Sequence, residues 1–226
     1  MDNVENLYYD GKLLARGMEM PMLCNGVDKP QYDCTTWANE FNYLMNGTYS
    51  SASSTLLVPG VGVRTYKGIG FLVNSDTCEC IHVSKSDSLS SGNANDGDFQ
   101  ANDTEFNKVS ELANYIKENE STDINEVNIN ASLDSVVGLF LNHCPNEAEL
   151  LQMIYVVKES LENMTGIDYP IYLYDPSKGL LQKADLSLED EKSIQESLET
   201  TQIMYWPDDW DEPVVEDMEN IRSHTK

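Results

Sequence analysis

The chain has 226 residues, 39 of them acidic and 14 basic, which gives a formal charge of −25 at pH 7. This charge repels phosphate backbones, so we expect no nucleic acid as a partner, and 40% hydrophobic residues exclude a wholly disordered acidic polymer. The sequence contains no run of about 18 apolar residues, and its first ten residues are polar and acidic. We therefore expect a soluble protein without membrane insertion, made without a cleaved signal.

The first half of the chain predicts strands around one helix. An apolar stripe with threonine as cap and glycine as stop predicts the helix, and runs rich in Val, Thr, Gly and aromatic residues predict strands. Residues 19–31 and 84–98 are expected to be irregular. The strands are expected within residues 12–18, 70–73 and 80–83, and the helix is expected to start at Thr35 or Thr36 and to end at Gly47.

The second half alternates helices and strands irregularly. Apolar residues at spacings of three and four predict helices, and short β-branched runs predict strands. This irregular order favours an α+β fold over a doubly wound sheet. The helices are expected at residues 103–119, with Asp103 as the cap, at 146–165 and at 187–199, and the strands at 126–130, 136–141 and 169–174.

The composition changes after about residue 183. Between Asp185 and Glu219 there are thirteen acidic residues and one lysine. We therefore divide the chain into a domain at residues 1–183 and an acidic helical extension at residues 184–226. Two tryptophans among the acids of this extension are aromatic anchors, with which it can dock on its own domain or on a basic partner.

The five cysteines are an odd number spread over a long chain, which favours a protein made in a reducing cytoplasm over a disulfide framework. Cys78, Cys80 and His82 are soft metal ligands at alternate positions, and alternation in a strand would place them on one face. A fourth ligand at a recognisable spacing is missing. We therefore predict an ordinary strand surface and no metal site.

Three segments of the sequence contain candidate catalytic or binding residues. Arg16 ends the strand-like segment KLLAR, an aromatic and serine-rich segment YSSAS begins at Tyr49, and Glu126 opens the alternating segment EVNIN. An arginine, an aromatic-x-Ser-x-Ser strand and a glutamate in this order resemble the bacterial toxin and effector members of the ADP-ribosyltransferase family. The resemblance implies an α+β fold with mixed or antiparallel sheets packed against helices.

The resemblance also implies that the protein binds NAD as a substrate and transfers ADP-ribose to a target protein. It makes Arg16 the phosphate clamp, Tyr49 a stacking aromatic, Ser51 and Ser53 the pocket serines, and Glu126 the catalytic carboxylate. These roles suit the residue types. A guanidinium can pair with pyrophosphate oxygens, and a carboxylate can bind a ribose hydroxyl and stabilise positive charge at the anomeric carbon.

Relatives of this kind are commonly secreted effectors. The acid-rich end of this chain, followed by Arg222 to Lys226, resembles the export signals of proteins delivered into host cells through a type IV system. The two resemblances together predict a bacterial effector or toxin with a secretion signal at its C-terminal end.

Two other functions remain open. Cys34 at the start of the predicted helix, with Trp37 three residues later, resembles the nucleophile region of papain-like cysteine proteases and glutamine deamidases, with His82 as the base. A strongly acidic protein can also act without catalysis, as an inhibitor or immunity protein that blocks a basic surface on its partner.

Overall fold

The computed structural model describes residues 3–18, 22–24, 31–33, 49–86, 105–143, 147–185, 192–194, 196, 202–205 and 214–217. These residues form an α+β structure with one large and one small sheet. In chain order, the elements are α1 (Val4–Tyr9), β1 (Leu13–Gly17), β2 (Met22–Cys24), β3 (Gln31–Asp33), β4 (Tyr49–Leu56), β5 (Ile69–Asn74), β6 (Glu79–Ser84), α2 (Val109–Asn119), β7 (Glu126–Ala131), β8 (Val136–Asn142), α3 (Glu147–Thr165), β9 (Ile171–Asp175), β10 (Leu180–Lys183), β11 (Gln202–Tyr205) and β12 (Val214–Asp217).

The large sheet has eight strands in the order β10-β9-β8-β5-β1-β4-β7-β6. Its neighbouring strands are antiparallel except for β8 and β9, which are parallel. A parallel pair needs a crossover connection, and α3 lies between these two strands in the chain. The helix expected at residues 146–165 is therefore the connection that the sheet requires.

The two faces of the large sheet bury different side chains. On one face, residues such as Leu14, Leu56 and Val127 form a continuous apolar core with α2 and α3. On the other face, α1 covers a second apolar cluster that includes Leu13 and Ala15. Successive side chains of a strand point to opposite faces, so β1 contributes to both clusters in turn.

The structure confirms most of the predicted strands of the large sheet. The expected strands at residues 12–18, 70–73, 80–83, 126–130 and 136–141 correspond to β1, β5, β6, β7 and β8. The expected helix at residues 146–165 corresponds to α3, which is followed by Gly166 at φ +69°, a conformation that suits glycine. The expected strand at 169–174 begins later, at Ile171, after Pro170.

The predicted start of α2 at Asp103 is wrong in position. Residues 105–108 are not helical, and the helix begins at Val109. The backbone N–H groups of Glu105 and Phe106 donate instead to the carbonyl of Val83, at 3.0 and 3.2 Å. These contacts hold the incoming chain against the end of β6 and postpone the first helical turn.

The small sheet has the strand order β12-β11-β3-β2 and joins distant parts of the sequence. β11 runs parallel to β3, so strands from residues 184–226 pair with strands from the first 33 residues. None of these four strands was predicted from the sequence, nor were α1 and β10. The predicted helix at 187–199 has helical residues at 192–194 and 196, while the predicted helix after Thr35 lies outside the described residues. Of the helices that the structure describes, none is both long and apolar enough to cross a membrane.

Candidate functional site

The structure brings together Arg16, Ser53 and Glu126, which stand on the three adjacent strands β1, β4 and β7. The Arg16 guanidinium donates from Nη1 to the backbone carbonyl of Ser53 at 2.8 Å. The Ser53 hydroxyl donates to Oε1 of Glu126, also at 2.8 Å. Residues 37 and 73 positions apart in the chain therefore form one hydrogen-bonded series across the sheet.

Arg16 reaches Ser53 because the ladder between β1 and β4 is short. The two strands pair at Leu14 with Leu56 and at Ala15 with Thr55, which are the last residues that precede Arg16 in β1. The carbonyl of a strand residue needs a hydrogen-bond donor when it is removed from water. The guanidinium supplies that donor to Ser53 at the point where β1 no longer does.

Close backbone packing fixes the position of Arg16 from its other side. β1 continues to pair with β5, where Arg16 lies opposite Phe71 and Gly17 opposite Gly70. A Cβ at Gly70 would stand 1.9 Å from the carbonyl oxygen of Arg16, so only glycine fits there without movement of the backbone. Arg16 thus lies between the β1–β5 ladder, which continues past it, and the β1–β4 ladder, which ends just before it.

A side-chain amide fixes Glu126 in a similar way. Asn125 directly precedes β7 and is buried. Its Oδ1 accepts from the backbone N–H of Leu56 at 2.8 Å, and its Nδ2 donates to the carbonyl of Leu56 at 3.1 Å. The side chain of Asn125 therefore replaces a backbone pair at the end of the β4–β7 ladder, and it sets the register in which Glu126 meets Ser53.

The register places the Ser53 and Glu126 side chains on one face of the sheet, together with further polar side chains, whereas Arg16 leaves β1 on the opposite face, beside Leu14 and Phe71. Ser53 lies opposite Asn128, and Ser54 opposite Val127, so Thr55 lies beside Glu126. On the other side of β7, His82 is opposite Asn128 and Ser84 is opposite Glu126. We name this group the polar cluster, and its members are Ser53, Thr55, His82, Ser84, Glu126 and Asn128.

The polar cluster is buried at its centre. Thr55, Glu126 and Asn128 have 0% of their surface exposed, whereas Ser53 is partly exposed and forms a rim. Arg16 is partly exposed as well, and it reaches the cluster only through the backbone carbonyl of Ser53. Burying a carboxylate costs considerable free energy unless hydrogen bonds compensate it, and the Ser53 hydroxyl is one such compensation. A buried glutamate among other buried polar side chains makes this part of the sheet the candidate functional site.

The expected common face for Cys78, Cys80 and His82 is wrong. The ladder between β6 and β7 pairs Cys80 with Ile129 and His82 with Asn128, so Ile81 is an extra residue in a β-bulge. Because of the bulge, His82 lies on the face of the polar cluster, while Cys78 and Cys80 pack against the apolar core of the opposite face. Among the residues that the structure describes, no group of three or more His, Cys, Asp and Glu could hold a metal ion.

The two thiols interact with each other instead. Both are free and half-buried. The hydrogen bond between them, followed by burial, raises the pKa of Cys78, and the same bond lowers the pKa of Cys80. Because they lie on the opposite face of β6 from His82, these cysteines are not part of the polar cluster.

Some of the predicted site residues lie outside the described part of the chain. Tyr49 and Ser51 lie in β4, but the structure describes only their backbone. Cys34 lies wholly outside the described residues. His82 is 2% exposed and belongs to the polar cluster.

Sequence reasoning did not single out Thr55 or Asn128. The only sequence feature that marks these two residues is the alternation of polar and apolar residues in EVNIN and in the serine-rich β4. The same alternation is expected of a solvent-facing strand.

A comparison with models of known protein families found no match to this chain, and a comparison with curated proteins found none either.

Proposed function

We propose that this protein is a mono-ADP-ribosyltransferase that binds NAD and modifies a target protein. The observation that carries the proposal is the hydrogen-bonded series from Arg16 through Ser53 to Glu126. The sequence predicted these three residues for one site, although they are far apart in the chain. An arginine and a glutamate linked through one serine supply a cation that can pair with a pyrophosphate and a carboxylate that can bind a ribose hydroxyl.

Each of the three residues has a role in binding or chemistry. Arg16 is partly exposed, and its planar guanidinium pairs with oxygens of the pyrophosphate. Ser53 orients the carboxylate of Glu126 through its hydroxyl. Glu126 accepts a hydrogen bond from a hydroxyl of the nicotinamide ribose and stabilises the positive charge that develops at the anomeric carbon.

The reaction exchanges one bond at that carbon for another. The bond between the anomeric carbon and the nicotinamide nitrogen breaks, its electron pair stays with nicotinamide, and nicotinamide leaves as a neutral molecule. A nucleophilic side chain of the target protein forms the new bond and loses its proton to solvent. When water takes the place of the target, the same step yields free ADP-ribose.

The charge of the chain indicates the kind of target. A protein with a formal charge of −25 attracts partners with basic surfaces and repels acidic ones. The proposed target is therefore a basic protein, and its modification slows as salt screens the attraction.

The test is NAD consumption by the wild type and by Glu126→Gln, measured as nicotinamide release and as labelled ADP-ribose on proteins of a cell lysate. Glutamine keeps the size of Glu126 and an oxygen for the Ser53 hydroxyl but removes the negative charge. We expect Glu126→Gln to lose about 100-fold or more in turnover, since loss of one electrostatic stabiliser of a transition state has this effect.

The matched control is Glu79→Gln on the neighbouring strand β6. Glu79 is exposed and accepts a hydrogen bond from Asn130 at 2.8 Å, away from the series. This variant should retain wild-type turnover. A wild-type protein that neither consumes NAD nor shifts in Tm at saturating NAD would overturn the proposal, as would equal turnover by wild type and Glu126→Gln.

A further inference from the structure

Asn128 and Thr55 are buried polar side chains that the fold does not use. Both have 0% of their surface exposed. Within the described part of the chain, neither Nδ2 nor Oδ1 of Asn128 has a hydrogen-bond partner, and Oγ1 of Thr55 has none either. Nearly all buried polar atoms in native proteins are hydrogen-bonded, so three unused atoms in one cluster need an explanation.

Asn125 is a buried asparagine whose side chain supports the sheet, and it can be compared with Asn128. It stands three positions before Asn128 and is equally inaccessible, at 1% exposure. Both ends of its amide bond to the backbone of Leu56. The same residue type is therefore fully satisfied where it supports the sheet and unsatisfied three residues later, which indicates that Asn128 serves something other than folding.

The position of Asn128 relative to Glu126 indicates which part of the substrate Asn128 contacts. The two residues are separated by one position on the same face of β7, and two strand residues span about 7 Å. Ser53 lies opposite Asn128, and Thr55 lies beside Glu126. The unused amide thus stands two residues along the strand, about 7 Å, from the carboxylate that we assign to the nicotinamide ribose.

We infer that the Asn128 amide recognises the carboxamide of the nicotinamide ring. This inference rests on the proposed function and extends it to substrate selection. A primary amide has one acceptor oxygen and two donor hydrogens, and the Asn128 side chain offers the complementary pair. With Glu126 at the ribose and Asn128 at the carboxamide, the ring is held at both ends while its glycosidic bond breaks.

The pairing predicts discrimination against a close analogue. In nicotinic acid adenine dinucleotide, a carboxylate replaces the carboxamide, so two acceptor oxygens face the Oδ1 and Nδ2 atoms of Asn128. One of them meets Oδ1 without a proton between them, and the buried charge lacks a cation. A site with buried polar groups strongly rejects a ligand that leaves them unpaired.

The experiment compares kcat/KM for NAD and for nicotinic acid adenine dinucleotide, measured as release of the free base, in wild type, Asn128→Leu and Thr55→Val. We expect the wild type to prefer NAD by about 100-fold or more, and Asn128→Leu to reduce that preference at least about tenfold. Thr55→Val should reduce it less. The loss in Asn128→Leu should fall mainly on NAD, because the analogue gains nothing from the amide.

A thermal melt separates this role from a structural one. Leucine has nearly the shape of asparagine and removes two unused polar atoms, so the Tm of Asn128→Leu should equal that of the wild type or exceed it by up to about 4 °C. Asn125→Leu is the matched control and should melt several degrees lower, because it leaves the N–H and carbonyl of Leu56 without partners.

Each result decides one of the two proposals. A wild type inert toward NAD overturns the proposed function and this inference together. A wild type that consumes NAD, with an unchanged preference in Asn128→Leu, overturns the inference alone. A Tm of Asn128→Leu as low as that of Asn125→Leu also overturns it, because Asn128 would then support the sheet.

Discussion

The two halves of the large sheet treat the same face in opposite ways. On the face that α1 covers, the half formed by β1, β5, β8 and β9 is apolar, with side chains such as Leu72, Phe140 and Tyr174 in one cluster. On the same face, β4, β7 and β6 carry the polar cluster. The opposite face carries core side chains along both halves, from Ile171 in β9 to Val83 in β6, with Arg16 and Ser54 as polar exceptions. The polarity therefore changes within one continuous sheet.

The difference separates the part of the sheet that stabilises the fold from the part that costs it stability. Burial of apolar surface contributes about 25 cal/mol per Å², so the apolar half is a net source of stability. A buried carboxylate or unpaired amide opposes folding. Since a solvent-excluded sheet face is most simply filled with Val, Leu or Ile, stability does not explain the presence of Glu126 and Asn128 there.

The largest expected effect on stability lies in the apolar half. Phe140 is fully buried in the cluster beneath α1. Phe140→Ala removes most of its apolar surface and leaves a cavity, and we expect the free energy of unfolding to fall by about 3–5 kcal/mol. Urea denaturation of the wild type and the variant measures this difference.

A variant in the polar half of the sheet should behave differently. Asn128→Leu, tested under the same conditions, should lose no stability. If both variants lost several kcal/mol, the two halves would contribute equally to the fold, and the contrast between them would disappear.

Ser53→Ala should give the next largest effect, and it acts at the rim of the polar cluster. The alanine removes the hydroxyl that donates to the buried carboxylate of Glu126. Hydrogen bonds to charged groups contribute about 1.5–3 kcal/mol, so we expect the free energy of unfolding to fall by that amount. Nicotinamide release should fall with it, because the carboxylate loses the group that orients it.

Ser54→Ala is the matched control for this prediction. Ser54 is the next residue in β4, points to the opposite face, and donates to the carbonyl of Val127 at 2.6 Å. Its loss removes a neutral hydrogen bond, worth about 0.5–1.5 kcal/mol, and should leave NAD turnover unchanged. Equal effects of the two variants on turnover would show that Ser53 has no special part in the site.

Much of the apolar framework could be predicted from the sequence because it depends on local pattern. The run VVGLFL indicated β8, and the apolar stripe between Glu147 and Thr165 indicated α3. The grouping of Arg16, Ser53 and Glu126 was also predicted, from a resemblance in their order. Whether the three meet depends on which strands are neighbours, and only the structure supplies that.

The rest depends on register, which the sequence pattern does not contain. Asn128 alternates with Val127 and Ile129 as a solvent-facing residue would, and only its pairing with Ser53 places it in a buried cluster. The bulge at Ile81 reverses the face of His82 relative to Cys80. A single inserted residue in a ladder has no signature in a stretch as short as β6.

The smallest expected effect concerns the hydrogen bond that ties α1 to the apolar half. The buried Tyr8 hydroxyl donates to the carbonyl of Gly179, in the turn between β9 and β10, at 2.5 Å. Tyr8→Phe keeps the ring and loses this bond, so we expect the free energy of unfolding at neutral pH to fall by about 1 kcal/mol. The adjacent Tyr9 is 67% exposed, and Tyr9→Phe should have no measurable effect.

Alkaline pH should narrow the difference between wild type and Tyr8→Phe. Burial, reinforced by the neighbouring Tyr174, raises the pKa of Tyr8 above its ordinary value of 10.0. Below pH 10 the hydroxyl is protonated in both states, and its contribution to stability is complete. Above pH 10 the unfolded state releases the proton while the folded state retains it, so the wild type loses stability as pH rises. Denaturant titrations at pH 7 and pH 11 measure the change. A difference that stays constant or widens at pH 11 would show that Tyr8 ionises as readily in the folded protein as in the unfolded one, and that α1 does not seal this side of the apolar half.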